Sequence, residues 1–328
     1  MTFAPKDGRA AWPAWHCPEH GRKLVVANDG VRCPAGCRFA TSQNVVRFLA
    51  RPTYADSWGV QWNRYRLTQL DSYTGAPISE RRARRCLGDE LWGGLDGKHV
   101  LEAGCGAGRF TEILLSRGAL VTSIDLTDAV DANAETFPPN DRHRVAQADI
   151  CAFPFAAQQF DVVWCLGVIQ HTPIPERTMA NLYEQVKPGG WLVIDHYTHS
   201  LSAYTKTAPL FRQVLKRMSP HQGMKATERL VDVFFPLHHA ARRNRLAQMV
   251  VSRISPVMAY HHAYPELTPA LQREWAMLDT HDSLTDWYKH YRTVAQIRRH
   301  LERLGLQDVV VGRGGNGVEA RGRRPPQL

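Results

Sequence analysis

Between residues 93 and 200 short apolar runs alternate with amphipathic stretches. The runs are Lys98–Glu102, Leu120–Asp125, Arg144–Gln147, Asp161–Leu166 and Trp191–His196, and a helical period holds over Arg109–Arg117, Asp128–Thr136 and Glu176–Lys187. This alternation predicts βαβ units and a parallel sheet. Near the end, a helix over Val294–Leu304 is stopped by Gly305, then strands follow at Asp308–Val311 and near Val318–Arg321. Residues 51–92 read as helical, with a turn at Thr74-Gly75-Ala76-Pro77. Residues 201–292 are mostly helical, basic and rich in His and Tyr, whereas residues 1–50 show little helical periodicity. The chain therefore divides into 1–50, 51–92, 93–200, 201–292 and 293–328, without an internal repeat.

The sharpest motif is Val100-Leu-Glu-Ala-Gly-Cys-Gly-Ala-Gly-Arg-Phe110, an apolar strand that runs through a glycine-rich turn into a helix. Glycines at 104, 106 and 108 let the backbone approach a ligand, and a helix N-terminus favours polar or anionic groups. Arg109 stands where a dinucleotide fingerprint needs Gly or Ala, which argues against NAD and FAD, and no Lys-Ser/Thr pair follows as in a P-loop. The next strand ends in Asp125, 21 residues after Gly104. A carboxylate there can accept both hydroxyls of a ribose. Asp149 and Ile150 follow the third strand, placed for an adenine amino group and ring. The fourth strand ends at Leu166 and Gly167 on the same crevice.

In order and spacing, Leu101–Gly108, Asp125, Asp149, Phe160–Leu166 and Lys187–Ile194 resemble the class I methyltransferase family. The resemblance implies a Rossmann-like α/β fold, a seven-stranded sheet whose last strand pair is antiparallel, with helices on both faces. It implies S-adenosylmethionine as methyl donor. Carried over, Glu102, Gly104, Cys105, Gly106 and Gly108 surround the methionine part. Asp125 and Leu126 take the ribose, Asp149 and Ile150 the adenine, and Leu166 and Gly167 the sulfonium side.

The N-terminal segment reads Cys17-Pro-Glu-His20, twelve residues, then Cys33-Pro-Ala-Gly-Cys37. Two ligand pairs separated by a short hairpin form a structural zinc pattern, and four N and S ligands leave no open position. The segment looks like a zinc ribbon, similar to that preceding the methyltransferase domain of some rRNA guanine methyltransferases. His20 at a cysteine place and three residues inside the second pair depart from that pattern. The alternative is a metal-free hairpin with buried thiols. The other four cysteines lie apart.

An oxygen acceptor needs a base. His171, in the loop after the fourth strand, is the first candidate, in a stretch (Gln170–Pro173) that resembles many small-molecule methyltransferases. Its alternative is a histidine that only shapes the loop. Leu278–His290 offers a second group, with His281 and Asp282 as catalytic candidates. As a helix it places Asp282, Asp286 and Lys289 on one face, either as a lid over the acceptor or as a solvated, salt-bridged surface. Asp195-His196-Tyr197 lies after the fifth strand and is placed to line the same cleft. Trp58–Trp62 and Tyr65–Asp71 read as an aromatic stripe packing a helix on the core rather than as a cap.

Composition sets the outer bounds. The 328 residues are 44% hydrophobic and 22% charged, ordinary globular usage. No run reaches the ~20 apolar residues of a membrane helix. The opening MTFAPKDGRA has no apolar h-region, and seven cysteines suggest no disulfide framework, so the expected compartment is cytoplasmic. The formal charge of +10 is concentrated: residues 200–262 hold ten Lys or Arg against two acids, a net of +8. Such a segment attracts phosphates, whether RNA, an anionic surface or a phosphorylated substrate, or is simply a solvated helical face.

Three functions stand open. The first is methylation, on oxygen, of a small molecule or glycan precursor; the whole chain looks like bacterial methyltransferases of surface-polysaccharide and secondary-metabolite pathways. The second is RNA base methylation, for which the Asn-Pro-Pro-Tyr-type loop and aromatic–basic interleaving are missing. The third is a silent S-adenosylmethionine-binding adaptor.

Overall fold

A computed structural model describes residues 11–27, 29–49, 53–200 and 206–327. The opening decapeptide, on which the expectation of no secretory signal rests, lies outside the described residues, as do residues 201–205 of the basic segment.

The strands are β1 (Val25–Ala27), β2 (Gly30–Arg32), β3 (Arg38–Ser42), β4 (Val45–Arg47), β5 (His99–Ala103), β6 (Leu120–Asp125), β7 (His143–Gln147), β8 (Phe160–Cys165), β9 (Val186–Tyr197), β10 (Gln307–Gly314) and β11 (Gly317–Arg323). The helices are α1 (Asp56–Arg64), α2 (Asp71–Thr74), α3 (Ile78–Gly93), α4 (Arg109–Ser116), α5 (Ala129–Thr136), α6 (Pro175–Gln185), α7 (Ala208–Leu215), α8 (Pro220–Ala241), α9 (Arg245–Ile254), α10 (Pro269–Thr285) and α11 (Val294–Arg303).

Seven strands run in the order β7-β6-β5-β8-β9-β11-β10. The first five are parallel neighbours, and β11 pairs antiparallel with both β9 and β10. This is the Rossmann-like sheet. Beyond β7 it continues through β4, β3, β2 and β1, and β4 joins β7 in parallel at Val46↔Ala146 and Arg47↔Gln147. The cysteine-bearing segment is thus sewn onto the sheet edge, giving eleven strands where the resemblance implied seven.

Side chains alternate across the strands, and the sheet buries two apolar faces. Leu101, Ala103, Ile124, Val163, Cys165, Leu192 and Ile194 share one cluster with Met179 and Leu182 of α6 and Ile297 and Leu301 of α11. Val100, Val121, Val162, Trp164 and Val193 share the other with Leu87 of α3 and Phe110, Ile113 and Leu114 of α4. Because both faces are covered, even Thr122 and Ser123 of β6 are fully buried.

The helices start where side chains satisfy their free N–H groups. Asp71 accepts from Ser79 and Glu80 N–H, both at 2.8 Å, and so caps α3 from a distance. Capping boxes open α8 (Ser219, Gln222) and α11 (Thr293, Gln296). Two boundaries differ from the sequence reading. α6 stops at Gln185, and β9 takes up Lys187 through the Gly189 turn. The stretch read as helical to His290 ends at Thr285, with Asp286 extended at the cap.

Candidate active site

The glycine loop links β5 to α4. Gly104 and Gly106 have φ of +81° and +50°, and their N–H groups reach Ile124 O (2.8 Å) and Asp125 Oδ2 (2.9 Å). A Cβ on Gly104 would meet Val168 at 2.2 Å, and one on Gly106 would meet Trp62 at 3.2 Å. Only glycine keeps this loop open. Asp125 Oδ1 also accepts from Thr127 N–H (2.9 Å) and Oγ1 (2.8 Å), which aims the carboxylate along the end of β6.

A cavity of about 840 Å³ opens over this loop, within the usual size of small-molecule sites. Gly104, Cys105, Gly106, Asp125, Leu126, Ile150, Leu166 and Gly167 line it, together with His171 and Asp282. Three expected donor contacts do not reach the wall. Glu102 is buried beneath the loop, where Oε2 accepts from Thr111 (2.5 Å) and Ser123 (2.8 Å); burial pushes its pKa up to about 7. Gly108 caps α4 against Phe137 rather than facing the cavity. Asp149 turns its carboxylate to Cys151 N–H at 2.7 Å, leaving Ile150 as the wall on that side.

At the other end, the His171 ring is buried between Trp58 and Tyr197, with edge contacts at 5.0 and 5.2 Å. Its Nδ1 donates to Tyr288 O at 3.1 Å and lies 3.3 Å from Asp286 Oδ2. Nε2 is left facing the Tyr197 hydroxyl at 3.3 Å. Burial alone would lower the His171 pKa, but Asp286 and then Asp282 outweigh it, so the ring titrates above its ordinary range. Asp286 is itself held charged: burial is outweighed by Lys289, His171 and Arg212. Asp282 is pushed up to about 6 by burial, with His171 pulling the other way.

His281 does not join this group. It is buried between α10 and α1, with Nδ1 2.5 Å from Gln61 Oε1, and burial lowers its pKa to about 4. His196 likewise points away, its Nδ1 on the carbonyl of Tyr197. Trp58, Trp62 and Gln69, read as core packing, line the cavity instead.

Sequence reasoning missed an arginine arc on this wall. Arg81, Arg82, Arg85 and Arg109 all line the cavity. Arg82 pairs with Asp195, whose other oxygen takes Gly167 N–H at 2.6 Å, while Arg85 pairs with Glu319 at 2.6 Å and Arg81 with Glu266. Arg109 makes no ion pair among the described residues. Its Nε reaches Ser79 (2.9 Å), Nη1 reaches Gln69 (3.0 Å), and Nη2 is buried without a partner. The run Glu-Arg-Arg-Ala-Arg-Arg from residue 80 was the available signal.

In the N-terminal segment, Cys17 Sγ, His20 Nδ1 and Cys37 Sγ lie within 4.8 Å of one another. Cys33 Sγ is 4.0 Å from the same nitrogen and takes Ala35 N–H at 3.4 Å. Three of the four expected ligands converge, and Cys33 stands outside that group.

Residues 101–194 match the family model described as a methyltransferase domain. These residues form a methyltransferase domain. Over 117 residues the chain is 34% identical to a ubiquinone biosynthesis O-methyltransferase of Coxiella burnetii, across 34% of this chain and 49% of that protein. It is 37% identical to one of Pseudomonas fluorescens, with the same coverage. The chain thus spans about half the length of the curated relatives it matches. A solved magnesium protoporphyrin IX methyltransferase from Synechocystis PCC 6803 is also similar, at 14% identity and a TM-score of 0.45, over 83% of this chain and 96% of that one. The methyltransferase domain therefore supplies the glycine loop and β8 end of the cavity. The remaining walls come from α1, α3, residues 206–292, the end of β9 at Tyr197 and the turn between β10 and β11, outside the matched residues.

Proposed function

We propose that the protein methylates a hydroxyl group of a small-molecule or glycan-precursor acceptor, with His171 as general base. The observation that carries this reading is one continuous cavity joining the glycine loop and Asp125 to the His171–Asp286 pair. That the similar proteins are O-methyltransferases supports the choice of oxygen.

S-adenosylmethionine, when bound, supplies an activated methyl group on its sulfonium. The donor fits the residues present: an open glycine cradle, a carboxylate at Asp125, and the unpartnered Arg109 Nη2 for its amino-acid carboxylate. Ile150 and Leu166 line the cavity and would bound the adenine and sulfonium sides of the donor. On the acceptor side, Asp286 and Tyr288 O hold the Nδ1 proton, so Nε2 carries the lone pair. The Tyr197 pKa is raised by burial, so its phenol stays protonated and donates to Nε2. A proton leaves the acceptor hydroxyl to Tyr197 Oη as the Tyr197 proton moves to His171 Nε2. Orientation in a walled cavity supplies most of the remaining rate. We assign His281 a packing role.

We also propose a structural zinc held by Cys17, His20, Cys33 and Cys37. Burial pushes the Cys17 thiol up, but hydrogen bonds from His20 outweigh this and bring it to about 7, which favours a thiolate ligand.

The test is labelled donor with pools of hydroxylated metabolites, glycan precursors and total RNA in parallel. Transfer to a hydroxyl compound supports the reading. Transfer to RNA, or donor binding without turnover on any pool, overturns it.

A further inference from the structure

We propose that the 206–292 insertion docks on an anionic phospholipid bilayer through α9 and the first turns of α7. The inference does not rest on methyl transfer, since vesicle binding is read without donor or acceptor.

Helix α9 is inside out for a surface helix. Leu246, Met249, Val250 and Ile254 are 65%, 49%, 54% and 56% exposed. Their spacing of i, i+3, i+4 and i+8 makes one outward apolar stripe. The inward position belongs to Gln248, whose buried amide reaches His238 Nδ1 at 2.9 Å. The stripe continues onto α7. Thr207 N–H and Oγ1 bond Arg253 O (3.1 Å) and Ile254 O (2.9 Å), which joins the start of α7 to the end of α9. One and two turns along α7, Leu210 and Val214 are again exposed.

Cations flank the stripe. Lys206, Arg242, Arg243, Arg245 and Arg253 stand at its ends, and none makes an ion pair among the described residues. An aliphatic face with a cationic border is the chemistry of a helix lying in the headgroup plane of an acidic membrane. RNA would want aromatic rings for base stacking, which this stripe lacks. No helix among the described residues is long and apolar enough to cross a membrane, so the contact lies on one leaflet. The stripe also leads to the cavity. Four residues beyond Ile254, Met258 is 38% exposed and lines it, anchored by its N–H on Thr280 at 2.9 Å. Docking would set the cavity rim against the bilayer, within reach of an acceptor carrying an apolar anchor.

The experiment is cosedimentation of the full chain with vesicles of phosphatidylcholine alone, or mixed with phosphatidylglycerol, at low and high salt. Expected is binding to the anionic vesicles, weakened by salt. The triple variant Leu246→Ser, Val250→Ser, Ile254→Ser should lose about tenfold or more in affinity, and Arg243→Gln with Arg245→Gln should lose the preference for anionic lipid. Unchanged melting shows that each variant folds; should the triple variant melt early, Leu246→Ser alone is read instead. Binding indifferent to lipid charge, binding unchanged in the stripe variants, self-association through α9 in light scattering, or capture of RNA rather than vesicles would each overturn the proposal.

Discussion

The Nδ1 atom of His171 lies 3.3 Å from Oδ2 of Asp286, which joins a loop of the methyltransferase domain to the end of α10 in the insertion. The pair makes a catalytic prediction. His171→Ala should lower kcat by about 10²–10⁴-fold while leaving donor affinity intact. Tyr197→Phe should lower kcat by about tenfold or more, since it breaks the proton path. The base works deprotonated, and Asp286 raises its pKa. The acidic limb of the kcat profile therefore lies above the ordinary histidine range, and Asp286→Asn should move it to lower pH with a reduced plateau. An unmoved limb in Asp286→Asn would remove His171 as the titrating base.

Donor binding depends on Asp125 and Arg109. Losing a charged acceptor for two ribose hydroxyls costs about 1.5–3 kcal/mol per bond. Asp125→Ala should therefore weaken S-adenosylhomocysteine binding by about a hundredfold or more in calorimetry. Arg109→Met keeps an apolar side chain beside Phe110 and Trp275 but removes the guanidinium with its free Nη2, and should weaken donor affinity by about tenfold. Arg109→Met with native affinity would mean that the cation serves another group.

Much of the donor side was legible because its chemistry forces particular residues: glycines where a Cβ would meet Val168 or Trp62, and a carboxylate at the end of β6. His171 was legible for its place after β8. The acceptor wall was harder. Arg82 and Arg85 look like a solvated helix face until Asp195 of β9 and Glu319 of β11 arrive from distant parts of the chain. His281 and Asp282 are neighbours in sequence but about 100° apart around a helix, so only Asp282 faces the cavity. The helical face expected to run through Asp286 stops at Thr285, yet Lys289 still reaches Asp286 at 3.1 Å because the chain turns back.

The cysteine cluster predicts a metal-dependent edge of the sheet. Purified protein should carry about one equivalent of zinc. Cys17→Ser should lose it and cost on the order of 2–4 kcal/mol, read as a lower melting temperature. Cys17 and Cys33 are buried with Trp15 and Phe48 against the main core, so loosening them exposes apolar surface. Metal-free protein that melts with the wild type would overturn the assignment.

His238 predicts a pH dependence that a single variant isolates. Its Nε2 meets Ser255 Oγ and its Nδ1 takes the Gln248 amide, both at 2.9 Å, pinning α8 to α9. Burial lowers its pKa to about 4. Between that value and the ordinary range near 6.5 the unfolded chain binds a proton that the folded one refuses. This contribution is fully present above about pH 6.5 and is lost as pH falls toward about 4, by at most about 1.4 kcal/mol per pH unit. Glu102, raised to about 7 by burial, acts in the opposite sense, so the wild-type profile mixes both. The difference between wild type and His238→Gln removes that mixture. His238→Gln should be the less stable protein at about pH 7.5 and should close the gap as the pH approaches 5, in calorimetric melting. A gap that stays constant across that window would mean His238 holds its place by packing alone.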